Sequence, residues 1–496
     1  MITFYIAMII EVILIVGVGV YLSFKEKILE KEGGFAYGGR VMGAVAIGAT
    51  VGLGPLGTPH VLGIPGMVLG QGEIAMWFVL GGVSAVTAVM LITGPLARKL
   101  EVNTAPEMME LMFGDFNKVL IIAAGIGGSF GGLALECQGM GAVISIGGNF
   151  EYTTGLLIAG VFIIIYVFLG GMKQMGIVNT VNAVLVYVGI IGALIYVSAF
   201  ILKGDWSGVN NFYETAKNAN GEDMSWMLSM VQNKELLWTV GVVSLLSQLF
   251  THPCGGAFLQ ACISAKSVGT VRRAALVAIP VNGLFGLVII SIAMFGNSDI
   301  GNNLDILGLF LYSVPKWLGV VALMGFFGVI LSTASIICMA MGTIIANDVY
   351  KRYYNKNATE KQQNTVNRVI IVVLVVASVM IATFVPSITG AANWSFSWGI
   401  PPFVFLFFGV FWKCSKQAFT VNIIFVWIVN SLWSLTPLPD LLGVPPQWQD
   451  INAILTTCLS FVVGAVLTAI LPGEESLFSM MKKYTPAELR ENRLVK

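Results

Sequence analysis

Five polar residues lie inside apolar stretches of this sequence, and each has a side chain that could bind an ion or a small solute. Glu136 stands in the apolar segment 133–144, where its carboxyl could bind a cationic group or carry a proton. His60 and His252, the only two histidines, each adjoin a proline, and a neutral imidazole both donates and accepts hydrogen bonds. Ser332 and Thr333 are adjacent, and hydroxyl oxygens are ligands that hard metal cations prefer. What these groups do depends on the elements that position them.

The composition is that of a membrane protein. Of the 496 residues, 56% are hydrophobic and 11% are charged, whereas soluble domains carry about 25% charged residues. The mean hydropathy is +0.85. The net charge of +1 provides no basic surface for nucleic acid. The six cysteines show no Cys-x-x-Cys spacing, so neither a zinc site nor a disulfide framework is indicated.

Apolar runs between polar breaks predict an all-α polytopic membrane protein with thirteen transmembrane helices, at roughly 20 residues per crossing. The predicted spans are 3–23, 43–70, 73–96, 118–147, 154–172, 175–202, 236–262, 273–296, 315–346, 367–387, 391–412, 417–434 and 451–471. The first run has no basic residues before it and is long enough to cross a bilayer. We therefore expect a transmembrane helix there and not a cleaved signal peptide.

The distribution of Lys and Arg predicts the orientation. All but four of the 27 basic residues fall in one set of alternate loops or in the tail after residue 472. By the positive-inside rule, the N-terminus is outside and the C-terminus is cytoplasmic, in the plasma or inner cell membrane. The long outer loop at about 203–235 is expected to form an extracellular cap of partly amphipathic helix.

Two of the predicted helices are interrupted by glycine and proline. The second span contains GLGPLGTPH at 52–60, and the seventh contains QLFTHPCGG at 248–256. Proline removes an amide donor, and glycine lowers the propensity to form a helix. A helix that breaks inside a bilayer is tolerated only where its exposed backbone groups line a cavity or bind something. Both interruptions are therefore candidate binding sites.

Each break opens a block of five predicted spans, and the two blocks enter the membrane from opposite sides. This arrangement is typical of secondary transporters built from inverted repeats, in which substrate and ions bind near the midplane at broken helices. The expected divisions are a peripheral helix and inner loop (1–42), the first repeat (43–203), the extracellular loop (204–235), the second repeat (236–412), two peripheral helices (413–472) and a cytoplasmic tail (473–496).

Several motifs, taken in order along the chain, resemble the sodium/solute symporter family, which includes sodium/proline, sodium/glucose, sodium/sialic acid and sodium/pantothenate symporters. The motifs are GIPG at 63–66, TAPEMME at 104–110, GGMK at 170–173, SAKS at 264–267, LSTAS at 331–335 and NDVY at 347–350. The resemblance covers nearly the whole chain, and the sodium/proline branch is nearest at the first break. It implies a carrier whose coupling ion is sodium.

The resemblance also implies a site for that ion. Ser332 and Thr333 follow Val329 by three and four residues, so both hydroxyls share a helix face with the Val329 carbonyl. In the family this face meets the first break, where by position the carbonyls of Leu53 and Leu56 would complete the set of ligands. Such carbonyls and hydroxyls bind sodium without a buried counter-charge. The alternative is that the hydroxyls only bond back to the carbonyl four residues earlier.

Some family members have a second ion site, which uses an aspartate in the sixth span. The matching stretch in this chain is VNTVN at 178–182, where an amide takes the place of the carboxylate. An amide offers an oxygen but no negative charge. We therefore predict that one sodium ion is coupled to each solute.

The candidate solute-binding residues are His60, Glu136, Gln138, His252 and Trp394. An ionisable group inside a bilayer costs about 2.5–3.5 kcal/mol by insertion scales, so Glu136 requires a partner. We expect Glu136, with Gln138 nearby, to meet an amino group of the solute or to carry a proton; the alternative is a protonated acid that only supports the fold. The histidines could bind a carboxylate or a hydroxyl. Trp394 lies in the stretch 393–398, which could form an outer gate.

These expectations favour sodium-coupled import of a small polar organic solute by alternating access. A lining of acid, amide and imidazole favours an amino acid or another zwitterionic or carboxylated metabolite over a sugar. The alternative is a proton-coupled carrier that uses Glu136, His60 and His252. A channel is disfavoured because no pore-loop signature is present, and an enzyme because no nucleophile–base pair or HExxH motif is found. The expected partners are the solute, sodium and the bilayer, with no nucleic acid and no obligate protein partner.

Overall fold

Long apolar helices make up almost the whole fold. The computed structural model describes residues 2–25, 33–217, 221, 223–297, 306–384 and 394–494. The predicted all-α class is confirmed, with one small exception. Within the described residues, Lys413–Cys414 and Glu474–Glu475 form a two-stranded antiparallel pair that ties the start of the predicted tail to the loop before residue 416.

The helical elements follow one another with short connections. The α-helices are Ile2–Val20, Gly34–Tyr37, Ala44–Leu53, Ile64–Gln71, Met76–Ala88, Gly94–Lys99, Ala105–Phe113, Asp115–Gly148, Tyr152–Phe168, Gly171–Tyr196, Ser207–Thr215, Lys234–Leu236, Val243–Thr251, Gly256–Ile263, Val268–Asn282, Phe285–Gly296, Ile306–Gly308, Lys316–Ile344, Glu360–Phe384, Ile400–Phe411, Lys416–Leu435, Leu438–Leu441, Asn452–Ile470, Leu477–Lys483 and Pro486–Leu494. The π-helical segments are Tyr21–Lys25, Pro59–Gly63, Val89–Thr93, Val197–Ile201, Leu237–Val242, Leu309–Ser313 and Ile345–Tyr354. The 3-10 turns are Gly38–Arg40, Gly72–Ala75, Ser225–Leu228, Ser397–Gly399 and Pro446–Trp448.

The described residues contain ten helical segments that are long and apolar enough to cross a membrane. An eleventh is counted if Lys234–Thr251 and Gly256–Ile263, which meet at 47°, form one span. The chain is therefore a polytopic membrane protein. The count of thirteen and the five-plus-five inverted repeat stay predictions. One cause of the lower count is that helical structure continues through the predicted boundary near residue 72, so Pro59–Lys99 forms a single segment of 41 residues.

The first part of the second predicted span, Ala44–Leu53, and the fifth predicted span, Tyr152–Phe168, are apolar helices that are shorter than a full crossing. Residues 385–393, which include the end of the predicted tenth span and the start of the eleventh, lie outside the described residues. The predicted outer loop does contain helix, at Ser207–Thr215 and Ser225–Leu228. It contacts the start of the third predicted span, where the Trp77 indole N–H donates to the Met230 carbonyl at 2.9 Å.

Two of the motifs that carry the family resemblance begin helices. In TAPE, the Thr104 hydroxyl accepts the Glu107 amide at 3.2 Å, and the proline stands in the first turn, where its missing N–H costs nothing. In SAKS, the Ser267 hydroxyl accepts the Thr270 amide at 3.2 Å. Both motifs therefore have a local structural role, which is to start a helix, and this role does not depend on any ligand.

The helix Lys316–Ile344 is the centre of the bundle. In the segment Lys316–Tyr354, 83% of the most apolar stretch is buried, the highest share among the candidate spans. It packs along Gly171–Tyr196, and a Cβ on Gly325 would lie 2.5 Å from the Cα of Val186. Such close backbone contact is the usual way in which membrane helices associate tightly. This packing fixes the position of the hydroxyl-bearing stretch 332–333.

A buried cluster of charged groups holds the far end of the same helix. Lys118 Nζ lies 2.9 Å from Glu110 Oε2 and 2.9 Å from Asp348 Oδ1. Arg352 bonds the other oxygen of Glu110 at 2.8 Å. On the neighbouring turn outside the spans, burial raises the pKa of the Glu107 carboxyl. The cluster joins the short helix Ala105–Phe113 to two long helices.

Candidate functional site

The first predicted break is present in the structure. The helix Ala44–Leu53 ends in a turn at 54–56, and helical structure resumes before the π-helical segment Pro59–Gly63. Between them Gly57 has φ +42°, a left-handed conformation that favours glycine because it lacks Cβ. The chain thus exposes the last carbonyls of one helix and the first amides of the next at one point in the bundle.

Glu136, from the helix Asp115–Gly148, packs against this break. Its Oε2 atom accepts two hydrogen bonds from Thr58, one from the backbone amide at 2.8 Å and one from the hydroxyl at 2.9 Å. A Cβ on Gly57 would lie only 2.2 Å from the other carboxyl oxygen. A carboxylate is stabilised at the start of a helix by the free amides and the helix dipole. Glu136 therefore caps the second half of the broken helix, and its side chain is buried.

Three of the five predicted sodium ligands are brought together by contacts of the Thr333 hydroxyl oxygen. The Thr333 hydroxyl lies 3.2 Å from the Val329 carbonyl and 3.4 Å from the Leu53 carbonyl, so it joins the central helix to the first break. The bond to Val329 is the back-bond that the alternative interpretation predicts, whereas the bond to Leu53 is not. The adjacent Ser332 hydroxyl is buried and has no hydrogen-bond partner among the described residues. A buried polar atom without a partner requires an explanation, such as a water molecule or an ion, and the sodium site stays a prediction.

The fifth predicted ligand, the Leu56 carbonyl, has other partners. The amide of His60 donates to it at 3.1 Å, and the imidazole Nδ1 of His60 lies 2.5 Å from it. The Leu56 carbonyl is therefore bonded to the first turn of the second half-helix. Pro55, between the two predicted carbonyl ligands, separates them in register, so only the Leu53 carbonyl meets Thr333 within hydrogen-bond distance.

His60 is fully buried and lines neither of the cavities described below. Its Nε2 atom has no hydrogen-bond partner among the described residues. A Cβ on Gly82 would lie 3.3 Å from this nitrogen and 2.6 Å from Asn282 Oδ1, which is also without a partner there. The Asn282 amide donates to the Gly52 carbonyl at 3.0 Å, at the end of the first half-helix.

Asn282 is a polar residue of this site that the sequence reasoning missed. It ends the helix Val268–Asn282, and the next helix begins at Phe285. Pro280 and Gly283 flank it. That proline and glycine signal resembles the one at the two predicted breaks and could have found this third interruption.

The second predicted break is also present. It separates Val243–Thr251 from Gly256–Ile263, and the two helices meet at 47°. His252 follows the first of these helices, and its Nε2 atom lies 2.5 Å from Gln248 Oε1. The hydroxyl of Thr251 is buried and has no hydrogen-bond partner among the described residues. This break therefore keeps polar groups that are only partly satisfied.

Two cavities meet at the breaks, and we name each after one lining residue. The Pro106 cavity, of about 130 Å³, includes Glu136 and Thr333 in its lining. The Asp450 cavity, of about 490 Å³, includes Thr58. The two cavities share five lining residues, which we call the partition: Pro59, Gln248, Thr251, His252 and Phe396. The partition contains residues from both broken helices.

The predicted solute-binding residues separate into two groups. Glu136 and His252 line the cavities, and His60 does not. Gln138 is half-buried and lies two residues beyond Glu136, on another side of the helix. The Trp394 indole donates to Ser431 at 3.1 Å and packs edge-on against another tryptophan; it lines neither cavity. Its neighbour at position 393 in the predicted gate lies outside the described residues.

The sixth predicted span carries a buried polar cluster at the stretch that matches the second ion site. The Tyr166 hydroxyl donates to Asn179 Oδ1 at 2.6 Å, and the Asn182 amide donates to Glu11 Oε1 at 3.0 Å. Glu11 Oε2 and the side-chain oxygen of Asn182 have no partner among the described residues. Glu11 belongs to the first helix, so its contact with Asn182 joins residues that are 171 positions apart in the chain.

The comparisons with known proteins agree with this geometry. The sequence model of the Sodium:solute symporter family matches residues 35–420. The chain belongs to this family. The symporter is 25% identical over 373 residues to a sodium/proline symporter of Haemophilus influenzae, a match that covers 70% of this chain and 71% of that one. It is 25% identical over 384 residues to the uncharacterized symporter YwcA of Bacillus subtilis, covering 71% and 70%.

Solved structures show the fold of this symporter. A substrate-bound, outward-open Na⁺-coupled sialic acid symporter matches with a TM-score of 0.78 at 16% identity, over 96% of this chain and 99% of that chain. MhsT in complex with L-phenylalanine matches with a TM-score of 0.53 at 15% identity, over 86% and 97%. The protein is therefore a transporter of a sodium-coupled family and not an enzyme.

Proposed function

We propose that this symporter imports a small polar organic solute together with sodium by alternating access. The observation that carries the proposal is the contact of the Thr333 hydroxyl with the carbonyls of Leu53 and Val329, beside the buried Ser332 hydroxyl. Sodium bound there would bridge the first broken helix and the central helix. Because Thr333 also lines the Pro106 cavity, bound sodium and bound solute would stabilise neighbouring surfaces.

The two cavities support alternating access. They lie on either side of the partition, so a solute that moves from one cavity to the other must pass Phe396 and the His252 side chain. Sodium drives the cycle only if it and the solute favour the same conformation. With the proposed orientation, the Pro106 cavity faces the cytoplasm, and the Asp450 cavity faces the outside of the cell membrane.

The direct test is uptake into proteoliposomes that contain the purified, full-length chain. A panel of labelled amino acids, amines, sugars and carboxylic acids is presented with an inward sodium gradient, and in parallel with an inward proton gradient in sodium-free buffer. We expect uptake of at least one solute to require the sodium gradient. Uptake that follows the proton gradient and ignores sodium would support the proton-coupled carrier, which uses Glu136, and contradict our proposal.

A further inference from the structure

The first break already holds a carboxyl group, and the protein supplies it. In transporters with discontinuous helices, the start of the second half-helix points at an anionic group of the substrate. Here the Glu136 carboxyl group takes that place, with 2.8 and 2.9 Å contacts to the Thr58 amide and hydroxyl. The fit to Gly57 leaves no space for a second carboxylate between them.

The charged residues of the cavity linings also disfavour a carboxylate on the solute. Neither Lys nor Arg occurs among the described residues that line the Pro106 and Asp450 cavities. The carboxyl groups in these linings are Glu136 in the first cavity and Asp450 in the second. A free carboxylate on the solute would meet no cationic side chain in either lining, whereas a cationic nitrogen would meet a carboxyl group in each and would favour its ionised form.

The uncharged part of the lining also suits a cation. Phe258 and Phe396 line the Pro106 cavity, and aromatic faces attract cationic nitrogen. The Thr251 hydroxyl, which has no partner among the described residues, lies in the same lining and can accept an N–H. His252 is engaged with Gln248. None of these lining groups requires a carboxylate on the solute as its partner.

We propose that the solute is an amine without a carboxylate, and that Glu136 fills the position that a substrate carboxylate would otherwise occupy. This inference rests on the proposed sodium-coupled import and narrows its solute. It departs from the zwitterionic or carboxylated solute that the sequence favoured. That preference depended in part on an imidazole lining, and His60 contacts the Leu56 carbonyl and lines neither cavity.

The test compares amines with the amino acids that differ from them by one carboxylate. The pairs are pyrrolidine and proline, ethanolamine and serine, and histamine and histidine; N-acetylated ethanolamine and histamine serve as uncharged controls. Binding is measured as thermal stabilisation of the full-length protein in sodium buffer, and transport as uptake under a sodium gradient. We expect at least one amine to bind about tenfold or more tightly than its amino acid, and the acetylated forms to bind weakly.

The variant Glu136→Gln keeps an acceptor oxygen for Thr58 but removes the charge. We expect it to weaken amine binding about 30-fold or more, while stabilisation by sodium alone persists and reports that the variant is folded. The matched control is Glu11→Gln, because Glu11 is an equally buried carboxyl that lines neither cavity. It should leave the amine preference unchanged.

The outcomes separate the two proposals. If a sodium gradient drives no uptake of any solute, the proposed function fails. If sodium drives uptake and the amino acids bind better than their amines, or if no amine stabilises the protein, sodium coupling stands and the amine inference is overturned. This comparison within the wild-type protein remains decisive even if Glu136→Gln does not fold.

Discussion

The two broken helices differ in how their breaks are packed. At the first break the polar groups of 57–58 are bonded to Glu136, and a Cβ on Gly57 would lie 2.2 Å from a carboxyl oxygen. At the second break a Cβ on Gly256 would lie 3.0 Å from the end of the Ile344 side chain and 3.7 Å from the Ala340 Cβ. The first break is therefore a closely fitted site. The second borders open space on both sides through the partition.

This difference indicates a division of roles. A site that must bind an ion benefits from fixed ligands, because the cost of ordering them is met during folding. A partition between two cavities must move, and groups with unsatisfied hydrogen bonds and neighbouring free volume can move at low cost. We therefore expect the first break to stay nearly rigid during transport and the second to change its bend.

The largest expected effect is that of Gly57→Ala. The new methyl group would clash with Glu136, and the left-handed backbone at this position costs about 1 kcal/mol or more for a non-glycine residue. Uptake should fall to background. Gly256→Ala, at the second break, should keep most activity because a flexible side chain can yield. The matched control for helix effects is Gly66→Ala, which meets nothing within 4 Å. Equal losses of uptake in Gly57→Ala and Gly256→Ala would contradict the proposed difference between the two breaks.

Removal of the hydroxyls tests the first break as the sodium site. Thr333→Ala and Ser332→Ala each delete one oxygen, and a lost polar ligand of this kind costs about 1–3 kcal/mol. We expect sodium-dependent thermal stabilisation to require about tenfold more sodium in each variant. Ser291→Ala is the control, because Ser291 is buried and makes only a back-bond to the Leu287 carbonyl at 2.7 Å. Unchanged sodium dependence in both site variants would place the ion elsewhere.

The sequence predicts the membrane fold and both breaks because these depend on local chemistry. Apolar runs, glycine and proline act over a few residues, so they can be read without knowledge of the neighbours. The Thr333 contact is predictable from the family resemblance because the hydroxyls carry a side-chain signature. The Leu56 carbonyl has no such signature, and its contact with His60 follows from the path of the turn.

Contacts between distant segments could not be predicted in the same way. Glu11 and Asn182 are 171 positions apart, and Glu136 and Thr58 are 78 apart. No periodicity links them. The partition is a further example, because its residues come from separate helices and its existence depends on the packing of both breaks. Sequence reasoning therefore identified the polar residues of single helices more reliably than their partners.

A smaller effect is expected at the second break. His252→Gln removes the imidazole but keeps a polar side chain beside Gln248, and loss of one hydrogen bond of about 1 kcal/mol corresponds to roughly a fivefold change in affinity. The Michaelis constant for the solute should rise by about that factor while sodium-dependent stabilisation is unchanged. Trp394→Phe, outside both cavities, should change neither quantity. A shift in sodium dependence with His252→Gln would show that the two breaks are not functionally separate.

The smallest expected effect concerns the polar cluster of the sixth predicted span. If the first break alone binds sodium, one ion accompanies each solute, and Glu11→Gln should leave that ratio unchanged. The reason is that Asn182 already donates to Glu11 at 3.0 Å and Asn179 accepts from Tyr166, so the amides at this stretch are committed to neighbouring helices. The ratio is measured as charge moved per labelled solute in voltage-clamped proteoliposomes, after subtraction of the charge that the solute itself carries. The contradicting result is a ratio of two sodium ions per solute in the wild type that falls to one in Glu11→Gln. It would show that the Glu11 carboxyl restores a second sodium site, so that rigid ion binding is not confined to the first break.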